Sequence, residues 1–161
     1  SGNRNTFDPN PGGLPMLIDR VRYYYLLEDM NCAETILCAA NDEYSLGLDP
    51  VGLRIMAGFG GGMGIGSTCC GALSGSIAAI SVRFTSSKSH ENPLVADLCR
   101  AFLEGFATRH GAIDCDPLKD LYRDSRSGCL PVVERAAGEL ERLMLENGPK
   151  APLPERGKKE G

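Results

Sequence analysis

Apolar residues along this chain recur at helical spacing, and no segment sustains the alternation of a strand. Leu14, Leu17, Ile18, Val21 and Tyr25 fall on one face of a helix predicted over about 14–29. Asn31 followed by Glu34 forms a capping-box pair, and Ala33, Ile36, Leu37, Ala40 and Tyr44 carry a second stripe that Gly47 would stop. Asp49-Pro50 opens a short helix to about Ala57. The segment Gly58–Gly66 reads GFGGGMGIG. That density of glycine predicts a loop with left-handed backbone or close approach to a neighbour. Ser67-Thr68 is then expected to cap a helix from about Cys69 to Phe84, apolar nearly all round and therefore central.

A polar connection over 85–92 leads to a stripe of Leu94, Val95, Leu98, Phe102 and Phe106, ending near His110-Gly111. Asp116-Pro117 starts a short helix through Tyr122, and residues 124–128 read as a turn. Leu130, Val133, Ala137, Leu140 and Met144 give a last helix to about Asn147, stopped by Gly148-Pro149. The expected fold is all-α: a compact single-domain bundle of about five to seven helices, with the glycine-rich loop before a central helix. It would span 14–148, between a flexible arm at 1–13 and a disordered tail at 149–161.

A chain of 161 residues can bury a core without disulfides. The net charge is −4, and no run of Lys or Arg forms a basic stripe, which argues against nucleic acid as a partner. The uncharged stretch from Ile55 to Val82 is long enough to span a bilayer, but its Gly, Ser and Thr content reads better as two segments joined by a loop. No membrane span is expected. Ser1-Gly2 stands where an initiator Met would be and reads as a cloning scar or a processed start, which leaves a cleaved leader open; a cytoplasmic location is otherwise favoured.

The seven cysteines change the picture most. Cys32, Cys70, Cys115 and Cys129 all fall at predicted helix N-termini, whereas Cys38 and Cys99 are mid-helix and read as packing. A helix start presents free N–H groups and the positive end of the dipole, so thiols there are expected to ionise more readily. Glycines of the preceding loop, Gly60, Gly61, Gly62 and Gly64, together with Gly71, are candidates to offer backbone N–H groups to a bound centre. They form neither G-x-G-x-x-G nor a Walker pattern. Of the two histidines, His110 is explained by the dipole at a helix C-terminus, and neither it nor His90 is favoured as a ligand. Tyr23-Tyr24-Tyr25 reads as partly core and partly surface. The charges Glu134, Arg135, Glu141 and Arg142 read as a solvated face.

The run Cys70-Gly71-Ala72-Leu73-Ser74-Gly75 matches CGAxxG, and it follows a glycine-rich stretch and Asn31-Cys32-Ala33-Glu34. With Cys115 and Cys129 downstream, the chain from about Leu14 to Leu145 resembles the C_GCAxxG_C_C family of redox-active proteins. The resemblance implies a small helical protein with four characteristic cysteines. A similar domain occurs in split-Soret cytochromes, associated there with an iron–sulfur centre. Cys69 beside Cys70 departs from the simplest pattern and leaves open which of the two acts. No C-x-x-C-H is present, so covalent haem is not expected.

Three functions follow as expectations. In the first, Cys32, Cys70 (or Cys69), Cys115 and Cys129 hold an iron–sulfur centre, 2Fe-2S favoured, or otherwise zinc, for electron transfer or redox sensing. In the second, the same four are metal-free redox thiols in disulfide exchange. In the third, the chain is a non-enzymatic module of a transporter or redox enzyme. A redox partner protein is expected in the first two, and the glycine-faced helices admit a homodimer.

Overall fold

The computed structural model describes residues 16–91 and 93–148. The arm and tail expected at 1–13 and 149–161, and Leu14 of the first stripe, lie outside them. The elements are α1 (Leu17–Leu26), α2 (Cys32–Tyr44), α3 (Pro50–Arg54), a 3-10 turn (Ile55–Phe59) and a single four-residue turn, α4 (Gly60–Met63). Then come α5 (Gly71–Phe84), a second 3-10 turn (Ser89–Glu91), α6 (Pro93–His110), α7 (Cys115–Tyr122) and α8 (Leu130–Asn147). The fold is an all-α bundle. Among the described residues the only β-type pairings are isolated bridges, Cys69 with Asp114 and Asp124 with Gly128.

Helix α5 lies in the core, as its composition requires. Gly71, Ala72, Leu73, Gly75, Ser76, Ala79, Ile80 and Phe84 are buried on it. Its main neighbour is α2. Gly75 permits that closeness: a Cβ there would run into the Ile36 side chain and come 2.6 Å from the Ala33 carbonyl oxygen. Leu17 and Val21 of α1, Phe102 and Phe106 of α6, Leu118 of α7 and Val133 and Leu140 of α8 complete the interior. Burying each such side chain contributes about 1.5–3 kcal/mol.

Three helix limits differ from expectation. Helix α1 ends at Leu26, because Asp29 turns left-handed (φ 53°) and Leu26 and Leu27 are exposed. Helix α5 begins at Gly71, later than expected, and Ser67-Thr68 does not cap it. Thr68 Oγ1 instead donates to the Gly62 carbonyl at 2.6 Å, and the Cys70 N–H donates to Ile113 O at 2.8 Å, holding Cys69 and Cys70 extended beside the start of α7. The third is the glycine segment, which has the left-handed backbone expected of it but is more regular than a loop. It folds into short turns, with Gly61, Gly62, Gly64, Gly66 and Met63 at positive φ.

One polar group in the core escaped notice in the sequence. Glu139 on α8 is buried, and receives Arg109 in a two-pronged pair (2.9 and 3.0 Å) and Arg142 at 2.6 Å. Arg142 is thus engaged, as are Arg135, stacked 4.0 Å over the Tyr122 ring, and Glu134, 3.1 Å from Arg22. The expectation of a merely solvated face is corrected accordingly.

Candidate functional site

Each of the four cysteines occupies the first or the capping position of a helix. Cys32 opens α2 behind the Asn31 cap, whose Oδ1 accepts from the N–H groups of Ala33 and Glu34 while Glu34 reaches back to the Asn31 N–H. Cys70 is the N-cap of α5, Cys115 opens α7 behind Asp114, and Cys129 is the N-cap of α8.

The bundle turns these four helix starts toward one region. Cys70 lies within electrostatic reach of Cys32 and Cys115, Cys115 of Cys32 and Cys129, and Cys129 of Cys32. Glycines make the approach possible. A Cβ on Gly71 would stand 2.6 Å from the Cys32 sulfur and 2.8 Å from Phe59 O. One on Gly62 would stand 2.7 Å from Cys115 Cβ. One on Gly60 would stand 2.6 Å from Asn31 Nδ2, which itself donates to Ala57 O at 3.0 Å. Gly66 is pressed against the Asp116 carboxylate, and its carbonyl accepts the Asp116 N–H at 2.9 Å. Gly61 and Gly64 face open space.

Cys69 points elsewhere. Its electrostatic neighbour is Asp114, Ser74 hydrogen-bonds its sulfur, and it lies 3.7 Å from its neighbour's carbonyl. Cys38 is buried within α2 and Cys99 is half-buried on α6. All seven cysteines are free thiols, including the vicinal pair. His110 packs tilted against Phe106, with ring centroids 4.6 Å apart. Its pKa is lowered, by burial first and then by Arg135, so burial and a nearby cation outweigh the helix C-terminus invoked for it. Among the described residues, no three of His, Cys, Asp or Glu stand where they could hold a metal ion.

The ionisation of Cys70, Cys115 and Cys129 runs opposite to expectation. Burial pushes Cys70 up to about 12, against the N–H groups of Ala72 and Leu73 that favour its thiolate. Cys115 and Cys129 are also raised, burial again leading, with mutual repulsion of the thiols adding to it. Desolvation penalises a lone thiolate more than the helix start rewards it. Lys119 and Arg123 act the other way: Lys119 favours the thiolates of Cys115 and Cys129, and Arg123 hydrogen-bonds Cys129. The sequence reading missed both, yet Cys115 and Lys119 are four residues apart and so share a side of α7, and Arg123 follows directly as its C-cap. It also missed Tyr25, whose hydroxyl accepts the Cys129 N–H at 2.9 Å. No local pattern links those two positions.

A helical bundle that gathers four cysteines at its helix starts belongs, as a class, with cysteine-based redox proteins. The chain is a member of the C_GCAxxG_C_C family, whose model, described as "Putative redox-active protein (C_GCAxxG_C_C)", matches residues 30–143. The matched span starts after α1, later than the resemblance drawn from Leu14. No curated protein and no solved structure matches the chain. Among the described residues no helix is long and apolar enough to cross a membrane.

Proposed function

We propose that Cys32, Cys70, Cys115 and Cys129 together hold an iron–sulfur centre and that the protein passes electrons to a partner protein. The observation that carries this is the convergence of four thiols at helix starts, with the ionisation of Cys70, Cys115 and Cys129 opposed by burial and by neighbouring thiols. Four thiolates are the normal ligand complement of such a centre, and its cationic irons would offset that repulsion. The donor set fits in kind and in number. No three donors close around one ion position among the described residues, which counts against a single zinc ion more than against a centre of several metals. When bound, the centre would supply one-electron exchange. The chain's own residues would supply the sulfurs, the glycine gaps that let them meet, and the N–H groups of Ala72 and Leu73 directed at Cys70.

A second reading is thiol–disulfide exchange, favoured by the separation of donors just described and by the cations Lys119 and Arg123 beside Cys129. Two of the thiols would become a disulfide, giving two electrons and two protons to an acceptor disulfide that becomes two thiols. An anaerobic preparation assayed for iron, zinc, labile sulfide and visible absorbance decides between the two. Iron and sulfide in stoichiometric amount, with a colour lost on Cys70→Ser, are expected. A colourless, metal-free protein that forms a reversible disulfide among the four would overturn the first reading in favour of the second.

A further inference from the structure

The end of α6 closes on α7 and α8 through one histidine. His110 is the last residue of α6. Its ring packs against Phe106 of the core, centroids 4.6 Å apart, and meets the Tyr122 ring of α7 edge-on at 6.2 Å. Tyr122 Oη donates to the His110 carbonyl at 3.0 Å, so the two residues are tied through backbone as well as rings. From α8, the Arg135 guanidinium lies 4.0 Å over the Tyr122 ring and donates to Pro131 O at 2.9 Å.

The charges that face His110 are unbalanced. Arg109 stands beside it on α6, and Arg135 and Glu139 face it from α8. Among the described residues Glu139 is the carboxylate facing His110, and Arg109 and Arg142 already share it. From α7 the neighbour is Tyr122, a neutral phenol whose O–H is given to the His110 backbone. A protonated imidazole would therefore add a cation where Arg109, Arg135 and Arg142 are gathered, in a partly buried place where the Tyr122 ring already carries Arg135. Burial and Arg135 both favour the neutral ring. The element held at this joint is α7, which has eight residues, begins at Cys115 and carries Tyr122 at its end.

We propose that His110 is a pH-sensitive latch on α7: neutral, it lets α6, α7 and α8 close round Tyr122; protonated, it crowds the cluster with a further cation and frees the last turn of α7. Acid thus loosens the stretch of chain that joins Cys115 to Cys129. The latch stands on its own contacts and holds whether the thiols work through a metal centre or alone. The test uses the full chain, titrated by NMR at the His110 imidazole and at the amides of Leu121, Tyr122 and Arg123. The imidazole is expected to take up its proton at lower pH in the folded chain than in the same chain unfolded in urea. The latch is then fully closed above the ordinary histidine value of 6.5 and opens as the pH falls below it. Between about pH 7.5 and about pH 5.5 the opening of that last turn, read by hydrogen exchange corrected for the intrinsic rate, should rise severalfold and by no more than about tenfold. His110→Gln should abolish the rise. Arg135→Met removes a facing cation and should move the His110 midpoint up, which decides the matter if His110→Gln does not fold. A His110 midpoint unchanged or raised on folding overturns the proposal, as does a midpoint indifferent to Arg135→Met. A rise in exchange that persists in His110→Gln also overturns it, since carboxylates would then be the titrating groups. Neither readout involves iron or a thiol, so failure of the metal reading leaves the test intact.

Discussion

Replacing Gly71 by Ala sets two physical effects against each other at the centre of the site. Gly71 is the first residue of α5 and has no need of a left-handed backbone, so by helix propensity alone Ala would stabilise by up to about 1 kcal/mol. Its added Cβ would stand 2.6 Å from the Cys32 sulfur, 2.8 Å from Phe59 O and 3.1 Å from Gly60 Cα. The sulfur is the tip of a side chain and can turn aside. The Phe59 carbonyl and Gly60 Cα are backbone and cannot move alone. Overpacking of this kind costs roughly 1–3 kcal/mol, which leaves a net loss of about 1–2 kcal/mol. A urea midpoint should fall by roughly 0.5–1 M, and Cys32 should alkylate faster because its sulfur is displaced. Gly138→Ala is the matched control: Gly138 is exposed in α8 with nothing within 4 Å, so Ala there should stabilise by about 0.5–1 kcal/mol. If the Gly71 variant is as stable as the Gly138 variant and leaves Cys32 unchanged, the close approach of α5 to Cys32 is wrong.

Other perturbations test the surrounding frame. Glu139→Ala leaves Arg109 and Arg142 without their shared carboxylate. Breaking a buried pair costs about 3–5 kcal/mol, and the partial exposure of both arginines reduces the expected loss to about 2 kcal/mol by denaturant titration; a change within error would show the triad to be dispensable. In the reduced, metal-free chain, Cys70 should make stability fall in alkali. Its thiol ionises near 9 when unfolded and about 12 when folded, so its contribution is full below 9 and is lost as pH rises toward 12, on the order of 3–4 kcal/mol. Cys70→Ala should show a shallower decline of stability over that window, and an equal slope in the two proteins would refute the assignment.

The sequence was most informative where the signal is local. The Asn31–Glu34 capping box, the Asp49 cap with Pro50 behind it and the Gly148 stop are found where residue chemistry placed them. The same logic brought Cys32, Cys70, Cys115 and Cys129 to helix starts, because caps and breakers act over a few residues. What local chemistry could not supply was the balance between burial and the helix dipole. Cys70 was expected to ionise readily from its position alone, but its depth in the bundle decides otherwise. Contacts made by distant segments were equally hidden. Tyr25 looked like one of three similar tyrosines, and only the docking of α1 against the Cys129 turn singles it out. Cys69 and Cys70 are adjacent and chemically identical. The extended backbone before α5, pinned by Ile113 O, is what sends one toward the other thiols and the other toward Asp114.

The four helix starts have a consequence for how the protein is made. The closest two of these cysteines in sequence, Cys115 and Cys129, are separated by all of α7 and the turn after it. No short stretch of the emerging polypeptide therefore presents two of these four together, as a C-x-x-C segment would, and an unfolded chain has little local means of joining them to one another. The thiols become neighbours only when α2, α5, α7 and α8 have packed, which places any loading step after folding. The group then acts as a signature of the finished molecule: a chain truncated before α8, or misfolded at α2, carries cysteines but has no site.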